Sequence, residues 1–180
     1  MPEPRECLVV VWRTPPTGEL SMDDFAAEHE RESEYRNTIV ADRCHGVWGK
    51  AIVSVGLWRE FPARISERAG PALCIGFVEW GIPFYELWSG GKITDRFSAD
   101  PAAMEGLDVD GSDDDIVADS RWTTDGEACA QFLGVPGVAV RAYMDSAAIR
   151  WSFLELLEEA RVPCVRGMIQ RTHEHVAIYK

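Results

Sequence analysis

The segment Ala72-Leu73-Cys74-Ile75-Gly76-Phe77-Val78-Glu79-Trp80-Gly81-Ile82-Pro83-Phe84-Tyr85-Glu86-Leu87-Trp88-Ser89-Gly90-Gly91-Lys92-Ile93-Thr94-Asp95-Arg96-Phe97 contains three apolar runs separated by two glycine-bearing breaks. Each run is too short for a typical helix, and the breaks supply the turn residues that reverse a chain. The segment therefore predicts a β-meander: Ala72 to Trp80 as a strand buried on both faces, Phe84 to Trp88 after Gly81-Ile82-Pro83, and Lys92 to Phe97 after a tight Gly90-Gly91 hairpin. In the last strand Ile93, Asp95 and Phe97 share one face, with Asp95 the odd residue. Lys92, Thr94 and Arg96 share the other, which is expected to be solvated.

Upstream of the meander, Trp58, Phe61 and Ile65 recur at helical spacing, Pro62 suits an early turn, and Gly70 is placed to end the helix. Val47 to Val55 alternates with the period of a strand. Cys7 to Trp12 is almost wholly apolar and β-branched, the composition of a central strand covered on both sides. Between them, Ser21-x-x-Asp24 is a capping pattern that opens a largely solvated helix over Met22 to Arg36.

Downstream, Asp100-Pro101 ends the sheet, and Leu107 to Asp119 carries six aspartates with few apolar anchors. That stretch, about 107–119, predicts an acidic surface loop. Thr124-x-x-Glu127 predicts the cap of a short helix that ends near Gly134. Asp145 is placed to cap a long amphipathic helix, Ser146 to Arg161, and Val165 to Tyr179 is β-rich enough to predict a final strand or hairpin. No composition break divides the chain. The expectation is one α+β domain over residues 1–180, with a single mixed, largely antiparallel sheet and helices packed on it.

The hairpin region Phe77 to Pro101, with Trp80, Tyr85, Leu87, the Gly90-Gly91-Lys92 turn, Asp95, Phe97 and Asp100-Pro101, resembles a segment of a family of uncharacterised bacterial α+β proteins. The resemblance implies a compact bacterial α+β domain and carries over no catalytic residue.

Composition bounds the function. A formal net charge of −12 over 180 residues repels nucleic-acid backbones, whose binding depends on Lys and Arg displacing counterions. No apolar run approaches the roughly 20 residues that cross a bilayer. The N-terminus Met1-Pro2-Glu3-Pro4-Arg5-Glu6 lacks the basic start and apolar stretch of a secretory signal. The five cysteines are scattered without a C-x-x-C pair. Together these predict a cytoplasmic protein with reduced thiols, no nucleic-acid or membrane partner and no cofactor.

Candidate sites are set by residue type. Glu79, Glu86 and Asp95 in adjacent strands are the paired-carboxylate candidates, because strand residues on one face converge and shift one another's ionisation. Cys44, His45, His173 and His175 offer sulfur and nitrogen for a metal if the fold gathers them. The acidic loop fails as a calcium site, since Gly106 and Val117 would occupy its first and twelfth positions. Seven tryptophans leave some for a binding surface, and Trp80, Tyr85 and Trp88, held by flanking glycines and proline, are the partner-binding candidates. Phosphate-loop, dinucleotide, zinc-protease and serine-hydrolase motifs are absent. The leading expectation is a non-catalytic, acidic protein-interaction module of the inhibitor or immunity type, whose partner is another and basic protein. The alternative is an enzyme or small-ligand carrier with an aromatic-lined pocket and strand carboxylates.

Overall fold

The computed structural model describes residues 7–13, 40–43, 48–53, 59–78, 81–108, 126–145, 152–163 and 165–170. They form β1 (Cys7–Arg13), β2 (Val40–Arg43), β3 (Trp48–Val53), α1 (Glu60–Ala69), β4 (Ala72–Val78), β5 (Ile82–Ser89), β6 (Lys92–Ser98), α2 (Pro101–Asp108), α3 (Glu127–Leu133), α4 (Gly137–Asp145) and α5 (Ser152–Glu159). A further helical segment spans 165–170. The strands make one six-stranded sheet in the order β2-β3-β1-β4-β5-β6, and every adjacent pair is antiparallel. The fold is α+β with helices on both faces of that sheet.

This double covering explains the near-continuous apolar runs. In β1, Val9 lies between Ile52 of β3 and Ile75 of β4, and residues Cys7 to Trp12 are all buried. Cys7, Val9 and Val11 join Leu73, Ile75 and Phe77 beneath α3, α4, α5 and the segment 165–170. Leu8, Val10 and Trp12 join Cys74, Phe84 and Trp88 beneath α1 and Met104 of α2. A strand with two dry faces has no polar alternate position, so its pattern is continuous rather than alternating.

The meander folds as its glycines dictate. Gly81 N–H donates to Val78 O at 3.0 Å to close the first turn. Gly90 and Gly91 take φ 56° and 80°, the pair of left-handed conformations that a two-residue hairpin of the right twist requires. The Gly91 N–H also donates to Ser66 Oγ at 2.8 Å, which ties the hairpin tip to α1. On the other side of β4, Gly76 has φ 155°, and a Cβ there would run into the Cys7 carbonyl of β1.

Several expectations differ from the structure. Of the helix expected over Ser146 to Arg161 the described residues form α5 (Ser152–Glu159), and Asp145, expected as its cap, is instead the last residue of α4. No helix was expected over α4 (Gly137–Asp145); Pro136 directly precedes it, and proline fits the start of a helix, where its missing N–H is not needed. Val165 to Tyr179 begins as a helix over 165–170, because Val165, Met168 and Ile169 are buried together on one helical face. Gly126, and not Thr124, holds the N-cap position of α3, and it makes no side-chain cap. Leu107 and Asp108 belong to α2 rather than to a loop. Arg96, expected on a solvated face of β6, is buried at 5% exposure. The helix expected over Met22 to Arg36 and the remainder of the acidic segment lie outside the described residues.

Candidate functional site

The sheet register builds a polar row inside the core facing α1. Cys74 of β4, Glu86 of β5 and Arg96 of β6 are direct cross-strand neighbours. Above the row, Arg59 at the start of α1 donates from Nη2 to Glu86 Oε1 at 3.1 Å, with side-chain exposures of 7% and 0%. A guanidinium presents a rigid fork of donors to a carboxylate, which makes it the cation suited to a dry interior. Burial drives the Cys74 thiol pKa well up; the Glu86 charge adds to that rise and Arg59 opposes it. Trp88, two positions along β5 from Glu86, is fully buried on the same face. Among the described residues its indole N–H has no acceptor.

The opposite face carries a second pair. Tyr85 Oη donates to Asp95 Oδ2 at 2.6 Å, and the Tyr85 ring stacks on Phe97 with centroids 6.1 Å apart. The phenol hydrogen bond links Asp95 of β6 to Tyr85 of the neighbouring strand β5. Tyr143 of α4 places its Oη 2.6 Å from Gly76 O and 3.0 Å from Phe84 O, locking α4 to the sheet. Lys50 of β3 is fully buried on this side and donates to Pro163 O.

These placements decide how the sequence candidates meet. Glu86 faces α1 while Asp95 faces Tyr85, so the two strand carboxylates point away from each other across the sheet and do not converge. Glu79 lies outside the described residues. Tyr85 and Trp88 have no exposed surface, so they are core residues and not the exposed anchors expected of a binding face. Short side chains cannot fill the space between sheet and helices, and large rings in the strands fill it instead. Trp80, Cys44, His45, His173 and His175 lie outside the described residues. Among the described residues no group of His, Cys, Asp and Glu has the arrangement of a metal site.

A groove between α4 and α5, of about 190 Å³, was not foreseen. It is lined by Ala139, Ala142, Tyr143, Glu155, Leu156 and Glu159. Ser152, the first residue of α5, also lines it. Finding it from sequence required α4, for which no helix was expected. Val138 on α4 is the only large hydrophobic side chain that is strongly exposed among the described residues, at 63%.

Comparison with protein-family models, with characterised proteins and with solved structures finds no match for this chain.

Proposed function

We propose that the protein is a non-catalytic, acidic interaction module that captures a basic protein, in the manner of an inhibitor or immunity protein. The observation that carries this reading is how the chain partitions its charge. Three of its basic residues, Lys50, Arg59 and Arg96, are buried, against a single buried acid, Glu86, among the described residues. The rest of the molecule is therefore more negative than the formal net charge of −12. A surface of one sign attracts a partner of the other over many ångströms and raises the rate of encounter.

The internal pairs support the same reading. Arg59 with Glu86 joins the start of α1 to the sheet, Tyr85 with Asp95 joins β5 to β6, and the two carboxylates offer no convergent pair of groups to a substrate. No helix is long and apolar enough to cross a membrane among the described residues. Cys7, Cys74 and Cys129 are free thiols, as a protein acting in the reducing cytoplasm would keep them.

The test is capture on the immobilised full chain from an extract of the source cell, followed by elution with salt rising from about 0.01 M to about 1 M. The expected result is a basic protein released by salt, which retains the chain when it is immobilised in turn. Retention only of acidic or neutral proteins, indifferent to salt, contradicts the proposal.

A further inference from the structure

The exposed acids of the described helices are not equivalent. Glu127 accepts from Arg141 at 3.2 Å and Glu158 from Arg166 at 3.0 Å, so each has its cation on the protein itself. Glu155 and Glu159 have no ion pair or hydrogen bond to any described residue, and both line the groove between α4 and α5. They are one helical turn apart, an arrangement of like charges that weakens a helix. Ala139, Ala142 and Leu156 supply the aliphatic part of the lining.

Ser152 supplies an independent sign of a ligand. It is 7% exposed, it lines the groove, and its Oγ is closed to water with no hydrogen-bond partner. A buried hydroxyl without a partner is a destabilising feature that an arriving donor relieves.

We propose that this groove receives a lysine or arginine side chain of the basic partner. The aliphatic stem lies along the alanines and Leu156, and the cationic head is held by Glu155 and Glu159 with Ser152 Oγ accepting a further hydrogen bond. Long basic side chains combine an apolar stem with a charged tip, which is the chemistry that this lining complements. The proposal rests on the acidic-module reading and assigns it a specific subsite.

The experiment is amide chemical-shift mapping of the full chain at about 0.15 M salt, where exposed charges farther apart than the screening length act weakly. The probes are N-acetyl-lysine N-methylamide and its uncharged counterpart N-acetyl-norleucine N-methylamide. The lysine probe is expected to shift the amides of Ala142, Ser152 and Leu156 and to bind at least about threefold more tightly than the norleucine probe. E155Q with E159Q should erase that difference while leaving norleucine binding unchanged, and S152A should weaken the lysine probe alone.

Equal binding of the two probes, no binding of either, or shifts confined to other acidic surfaces overturns the groove assignment. In the last case the acidic-module reading still stands, because a basic ligand has bound elsewhere. That reading fails separately, in the capture experiment, if the partner is not basic.

Discussion

Glu86 and Asp95 belong to one β-hairpin yet stand on opposite faces of the sheet, the first held by Arg59 of α1 and the second by the hydroxyl of Tyr85. Glu86 thereby joins the sheet to α1, and Asp95 joins β6 to β5. Their separation removes the convergent pair that acid–base chemistry would need and gives each a role in stability.

For Glu86 the expected consequence is large. Replacing it by Ala leaves Arg59 in a dry interior without the Glu86 carboxylate, and removal of one member of a buried pair typically costs about 3 to 5 kcal/mol. The double variant Arg59→Met with Glu86→Gln should cost less than the two single changes added together. Urea unfolding of the four proteins in the cycle measures the coupling, and simple additivity would show that the pair contributes little.

Tyr143→Phe removes the hydroxyl shared by the Gly76 and Phe84 carbonyls and almost no volume. Two buried carbonyls then lose a donor, for an expected loss of about 1 to 3 kcal/mol. A shift of the unfolding midpoint too small to resolve would mean that water replaces the phenol.

Trp88→Ala should destabilise by about 3 to 5 kcal/mol, the range for emptying a buried aromatic site. Trp88→Phe should cost much less, since it keeps most of the ring's packing and removes an indole N–H that has no acceptor among the described residues. Thermal unfolding of both variants decides this, and equal losses would show that the N–H matters more than the packing.

Alkaline pH should unfold the protein. Burial pushes the Cys7 thiol from 9.0 up to about 12, and it likewise raises the Cys74 and Cys129 thiols and the Tyr143 phenol. A group that ionises at higher pH in the folded state than in the unfolded one favours folding fully below its unfolded pKa. Above that value the unfolded chain loses protons that the folded chain keeps, so stability falls. The slope approaches about 1.4 kcal/mol per pH unit for each thiol. Melting temperatures should hold steady below pH 9 and decline toward pH 12, and the decline should be shallower in Cys7→Ala. A flat profile would mean that these thiols are solvated.

Five of the six strands were legible in the sequence because their signals are local, whereas β2 (Val40–Arg43), a four-residue edge strand, was not foreseen. Gly90-Gly91 demands a hairpin, and β-branched runs such as Leu8 to Val11 have no amphipathic alternative. The helical layer was less so. Asp145 has the chemistry of a helix cap, and only packing of Val140, Tyr143 and Met144 against the sheet makes it the end of α4 instead. Val165 to Ile169 has strand propensity, and burial against the helical layer overrides it. The candidate site was the least legible part. The carboxylates were found by type, but their faces depend on register, and the groove depends on two helices meeting.

The central claim is that the exposed acidic surface recruits a basic partner, and it is tested most directly by the association rate of that partner as a function of ionic strength. For the intact chain the rate constant should fall at least about tenfold between about 0.01 M and 0.15 M salt. In the variant Asp145→Asn, Glu155→Gln, Glu159→Gln, which neutralises three exposed acids of α4 and α5, the rate at low salt should be lower and the dependence shallower. A rate constant that is the same in both proteins and insensitive to salt would contradict the account.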